Sequence, residues 1–295
     1  MDDKDISCYN TVIYVLKGGI LIMVDRIVGM YFSPTGTTEQ IVQELVEILA
    51  MQLKCEKDYV DFTLPKVRED VQTFKEGDLV VFGVPVYAGR VPNLMLKYIH
   101  TVQGCGAMAI PIVLFGNRNY DDALAELQAL LAEDGFIPVA AGAFVGEHSF
   151  SEILGAGRPD NADMEVVEAF AEDIYNKLTS GFKPEAGQLL DVGGEYPSKG
   201  YYQPRDRKGT FIDIRKVKPK TSDSCIDCKL CAKTCPMGAI DFNNVHDVTG
   251  ICIKCGSCSK KCPMGAKYYD DEGYLYHQHE LEDEYTRRAE PSLFV

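Results

Sequence analysis

The 295-residue chain contains no tryptophan and only five histidines, and its 30 Lys and Arg are outnumbered by 44 Asp and Glu. The resulting formal charge of -14 argues against nucleic acid and fits either a partner with a basic docking face or solubility alone. Long hydrophobic runs are also missing. The apolar stretches at 12–16 and 20–24 are interrupted by Lys17, Gly18 and Gly19, and no signal-peptide pattern precedes them, so a soluble cytoplasmic protein with no membrane partner is expected. No Walker Gly-Lys-Ser/Thr occurs and no G-x-G-x-x-G follows a strand, which leaves nucleoside triphosphates and nicotinamide dinucleotides without support.

Cysteine, by contrast, is abundant and unevenly placed. Of the 11 cysteines, Cys8, Cys55 and Cys105 are scattered and read as ordinary thiols, while the rest fall between 225 and 262. CIDCKLCAKTCPMGAI (225–240) and CIKCGSCSKKCPMGAK (252–267) each spell C-x2-C-x2-C-x3-C-P. An odd total packed into two short runs fits metal or cluster ligation in a reducing compartment better than a disulfide framework. Structural zinc favours paired C-x2-C motifs with a longer spacer. The spacing resembles bacterial ferredoxins, and that resemblance implies two [4Fe-4S] clusters. It further implies that the first three thiolates of a run hold one cluster and the fourth reaches the other. Cys225, Cys228, Cys231 and Cys262 would then form one ligand set, and Cys252, Cys255, Cys258 and Cys235 the second. Gly238 and Gly265 would let backbone approach the clusters, with Ile240 as apolar cover.

The longer N-terminal part has a different rhythm. RIVGMYF (26–32) reads as a buried strand, then SPTGTT, then an amphipathic helix with Ile41, Leu45, Ile48 and Leu49 on one face. Further strands are expected at 59–62, 79–84, 107–115 and 137–144, and helices near 93–102, 121–133 and 163–178. This alternation predicts an α/β fold with a parallel sheet covered on both faces. Residues 181–222 are irregular, with one alternating stretch at 211–217, and read as a linker. The expected divisions are a translated leader at 1–22, a sheet domain at 23–180, the linker, a cysteine domain at 223–270 and an acidic tail at 271–295. The leader is expected because codons for Lys17-Gly18-Gly19 can spell a purine-rich ribosome-binding sequence ahead of Met23.

Three loops follow strands that should share one crevice at the carboxyl edge of the sheet: SPTGTT, GVPVYAGRVP (83–92) and FGNRNYDDAL (115–124). The first combines hydroxyls with a helix N-terminus, a natural phosphate site, although Ser and Thr also cap helices with no ligand present. Together the loops resemble those of flavodoxins, which implies FMN and a doubly wound five-stranded sheet of order 2-1-3-4-5. By that resemblance Ser33, Thr35, Gly36, Thr37 and Thr38 hold the phosphate. Pro85, Val86, Tyr87, Ala88 and Gly89 line one side of the ring, Gly116, Asn117, Arg118 and Tyr120 the other, and Asp122 lies near its polar edge. Without tryptophan, stacking falls to Tyr87 and Tyr120. Gly89 also suggests a peptide able to turn its carbonyl toward the ring, and His148 and Phe150 are candidates to close the crevice.

The whole pattern resembles the EFR1-type family of flavodoxin–ferredoxin fusions, with a ferredoxin-like α+β domain at the C-terminus. It implies an electron-transfer flavoprotein that passes single electrons between FMN and the two clusters, to or from a redox protein partner. The alternative is a flavin-dependent reductase of a small acceptor such as a quinone or unsaturated acid, which needs a proton donor from Tyr87, Tyr120 or His148. A redox-sensing or assembly module has less in the sequence to recommend it.

Overall fold

The computed structural model describes residues 24–295 and the backbone of residues 15–16 and 19–20; the leader expectation otherwise lies outside the described residues. Five parallel strands form the main sheet: β1 (Arg26–Tyr31), β2 (Glu56–Asp61), β3 (Asp78–Pro85), β4 (Met108–Phe115) and β5 (Ala141–Val145). They lie in the order 2-1-3-4-5, the flavodoxin-like winding. Apart from Asp78 at the start of β3, whose carboxylate Arg26 pairs, the middle strands β3 and β4 are apolar and buried on both faces, as a parallel sheet between helices requires.

Helices α1 (Thr37–Leu53) and α4 (Asn161–Thr179) cover one face, packing Ile41, Leu45 and Leu49 with Val167, Phe170 and Ile174. α2 (Asn93–Ile99) and α3 (Ala123–Glu133) cover the other, where Phe32, Phe62 and Phe82 are buried. α1 stops where Lys54 turns left-handed at φ 56° and returns its N–H to the Ala50 carbonyl. α4 starts from a capping box between Asp160 and Asp163.

One expectation is corrected. The strand expected at 137–144 is broken: Ile137 pairs with Met108 and Gly142 with Ile112, so one extra residue separates the two registers beyond Pro138. The alternating stretch at 211–217 of the linker holds a bridge from Phe211 to Arg205 and a turn from Ile214 to Val217.

The cysteine domain is small. β6 (Lys220–Thr221) pairs antiparallel with β7 (Lys267–Tyr268), and the one-turn helices α5 (Leu230–Lys233) and α6 (Ser257–Lys260) follow the first cysteines of each run. The segment at 271–295 is more than a charged tail. It forms α7 (Glu272–Glu284), which buries Tyr274, His277 and Leu281, and β8 (Ser292–Phe294), which adds antiparallel to β5 and covers that sheet edge.

Asn117 fastens the C-terminal segment. Its Nδ2 donates to the carbonyls of Tyr285 and Arg287, both at 2.7 Å, and its Oδ1 accepts the Ala289 N–H at 3.1 Å. Nearby, buried Arg158 donates to the Ala289 carbonyl at 2.6 Å and pairs with Asp163. Asn117→Leu strands two carbonyls, so the urea midpoint should fall by an amount equivalent to about 2 kcal/mol. Limited proteolysis should cut first after 284; an unchanged midpoint and digestion pattern would contradict this role.

Candidate functional site

A cavity of about 630 Å³ opens at the carboxyl edge of the sheet. Its floor is built from loops that the parallel winding brings together: Pro34, Thr35, Thr37 and Thr38 after β1, Pro85 to Gly89 after β3, Gly116 and Arg118 after β4, and Gly146 to Phe150 after β5. At one end lies the N-terminus of α1, whose first N–H groups have no acceptor within the helix. Gly36 caps it at φ +98° with no atom within 4 Å of where a side chain would begin, leaving open space beside the free N–H groups, an arrangement suited to an anion.

Several candidates have other tasks. Ser33 is buried and its Oγ accepts the Glu39 N–H at 2.9 Å, so it caps α1 rather than facing the cavity. Asn117 is consumed by the C-terminal segment. Tyr120 packs on Phe115 at 5.6 Å between centroids and is absent from the cavity wall. Asp122 precedes α3, where its carboxylate accepts the Glu195 N–H at 3.0 Å. The carbonyls of the Gly89 turn are engaged as well: Ala88 accepts from Tyr202 at 2.8 Å and Gly89 from Asp122 at 3.1 Å. A peptide free to turn is therefore not found there.

The roof comes from parts of the chain expected to lie apart. Tyr202 bridges the loops after β3 and β4, bonding Ala88 through its N–H and lying under the Arg118 guanidinium at 4.5 Å. Tyr201 donates its hydroxyl to the Val91 carbonyl at 3.2 Å. The linker is thus a strap across the cavity. α7 contributes His277 and Leu281, and the cysteine domain contributes the segment 251–255. The signal for α7 was present in the sequence: Tyr274, His277 and Leu281 recur at helical spacing inside an acidic stretch.

Docking of the cysteine domain has specific contacts. Lys260 pairs with Glu147 and donates to the Ser151 carbonyl at 2.7 Å. Arg68 donates to the Phe62 and Thr63 carbonyls at 2.8 and 2.6 Å and also to the Pro236 carbonyl. Met237 and Ile253 pack against the sheet domain's core. Cys252 and Cys255 consequently form part of the cavity wall. Beside them, burial pushes the Tyr87 phenol well up.

The eight cysteines line two further small cavities. One is bordered by Cys235, Cys252, Cys255 and Cys258, the other by Cys225, Cys228, Cys231 and Cys262. Among the described residues, no group of His, Cys, Asp or Glu is gathered for a single ion. Thiols spread around a space suit a polynuclear cluster. Burial pushes Cys258 to about 12 and Cys255 higher still, thiols that stay protonated unless metal replaces the proton. The Ala239 and Ala266 N–H groups reach Cys235 and Cys262 sulfur at 3.3 and 3.2 Å, the type of bond that stabilises bound thiolate.

Residues 224–266 match the 4Fe-4S dicluster domain family. No curated protein matches the chain. Similar solved structures include a flavodoxin from the domain Archaea, 14% identical over 52% of this chain and 98% of that one, with a TM-score of 0.38. The apo form of an NADH:FMN oxidoreductase is 15% identical over 56% and 94%, with a TM-score of 0.39. A flavodoxin of Streptococcus pneumonia TIGR4 is 18% identical over 52% and 99%, with a TM-score of 0.35. The fold assignment rests on strand order, not on these likenesses. Among the described residues, no helix is long and apolar enough to cross a membrane.

Two histidines on the wall are held neutral. Burial lowers His148 to about 3, with help from His277, Lys260 and Arg118, and lowers His277 to about 4, with help from Arg118. In the unfolded chain both charge near 6.5, so the unfolded state binds more protons below that value. Their contribution to stability is complete above pH 6.5 and is lost as pH falls through 4 and 3, about 2 kcal/mol for each ring by pH 5. His277→Phe should flatten the fall in unfolding free energy between pH 7 and 5; a slope equal to wild type would contradict the assignment.

Proposed function

We propose that the protein is an iron–sulfur flavoprotein that relays single electrons between FMN in the large cavity and two [4Fe-4S] clusters, with a redox protein as its external partner. This is the behaviour that the EFR1-type resemblance implies. The observation that carries the reading is the shared wall: Cys252 and Cys255 border the same cavity as Pro85 to Gly89. Bound flavin supplies exchange between two-electron and one-electron chemistry, and the clusters supply one-electron carriage.

The chain's own residues give the relay its order. The set Cys252, Cys255, Cys258 and Cys235 adjoins the flavin cavity, with Cys255 and Cys258 buried. The set Cys225, Cys228, Cys231 and Cys262 lies beyond it, where Cys228 is exposed and Ile226 and Met264 are exposed beside the cavity they help to line. An external carrier would therefore meet the second set, and the chain's acidic balance favours a carrier with a basic face. Thr35, Thr37 and Thr38 with the start of α1 would hold the phosphate. Tyr87, Tyr202 and Ile253 would exclude water between ring and cluster.

The reductase alternative draws no comparable support. Of its three candidate proton donors, Tyr120 stands outside the wall, His148 is held neutral, and the Tyr87 phenol is pushed further from giving up its proton.

Anaerobic purification should give roughly eight iron, eight sulfide and one flavin per chain. Cys228→Ser and Cys255→Ser separate the two ends. The first should slow reduction of an added basic one-electron acceptor while flavin still reduces its neighbouring cluster, and the second should isolate flavin from both. Equal behaviour of the two variants would refute the order.

A further inference from the structure

His148 and His277 come from opposite sides of the cavity wall, the loop after β5 and helix α7, and aromatic packing fixes both rings. Phe150 meets His148 edge-on at 5.3 Å and His277 edge-on at 6.2 Å, and Tyr202 stacks on His277 at 5.9 Å. His148 also lies so close to Gly116 that a side chain there would begin 2.3 Å from its Cδ2. Neither ring belongs to the phosphate cradle or to a cysteine set.

The two rings meet different surroundings at Nδ1. The Phe150 N–H donates to His148 Nδ1 at 3.1 Å, which places the ring proton on Nε2 and makes that atom a donor. His277 Nδ1 is buried without a hydrogen-bond partner and lies 3.8 Å from the Glu280 carboxylate. A proton held there faces the carboxylate and leaves Nε2 with its lone pair, an acceptor. Among the described residues, neither Nε2 has a hydrogen-bond partner and neither is sealed from the cavity that both residues line.

We propose that His148 and His277 together read the polar edge of a planar heterocycle that places a carbonyl next to an N–H, the edge that a flavin's pyrimidine ring presents. His148 Nε2–H donates to the carbonyl and His277 Nε2 accepts from the N–H. The inference rests on the flavin reading above and adds to it a recognition element contributed by α7, outside the sheet domain. Because burial keeps both imidazoles uncharged, the donor and acceptor pattern persists from pH 5 to 8. An imidazolium would offer two donors and no acceptor.

The test compares FMN with 3-methyl-FMN, which lacks the ring N–H, by flavin fluorescence quenching on flavin-stripped protein whose clusters remain bound. Wild type should prefer FMN about tenfold, the scale of one hydrogen bond in a dry site. His277→Phe should lose that preference by weakening FMN alone, His277→Gln should restore part of it, and His148→Phe should weaken both ligands about equally. Tight FMN binding with the same affinity for the methylated ligand overturns the reader and leaves the flavin reading standing. A preference that survives His277→Phe also overturns it, since the methyl group would then be excluded by shape. Failure of wild type to bind either flavin overturns the cofactor reading itself.

Discussion

The site depends on one close approach, that of the turn before α6 to the loop after β5. Gly256 sits at φ +75°, and a side chain on it would begin 2.5 Å from the Ser149 carbonyl oxygen. Only glycine allows both the left-handed turn and this contact. The approach sets Lys260 against Glu147 and Ser151 and carries Cys252 and Cys255 into the wall of the sheet domain's cavity. A slightly larger separation would leave two modules on a tether, whereas this contact makes them share an interior.

The strap and the C-terminal segment complete that interior from the other sides. Tyr202 holds the loops after β3 and β4 together, and Asn117 with Arg158 holds the return of the chain to β5. Linker, α7 and the dicluster module roof the crevice at the carboxyl edge of the sheet, which fits the proposed relay better than access by a free substrate. The same roof explains the neutral histidines, since burial between α7 and the sheet domain removes the solvent that would stabilise their charged forms.

Much of this was legible in the sequence, and the reasons differ by region. The cysteine runs state their chemistry locally, because four thiols within 11 residues leave few other uses. Strand and helix periodicity gave the parallel winding, and strand order places the three loops in one crevice. Individual loop residues were less readable. Ser33 and Asn117 carry polar groups suited to a ligand, yet the fold spends them on a helix start and on the chain's own C-terminal segment. That competition between backbone and ligand is decided by tertiary position. The roof was hidden for another reason: Tyr201, Tyr202 and His277 acquire meaning only once distant segments meet, and an acidic composition masked the apolar face of α7.

In the proposed relay electrons pass between flavin and clusters within one chain, across the wall formed by Cys252 and Cys255. Photoreduction of the flavin in anaerobic holoprotein, followed by the bleaching of cluster absorbance, tests it most directly. Transfer within one chain gives a rate that is independent of protein concentration. A rate that rises in proportion to concentration would show transfer between molecules and contradict it.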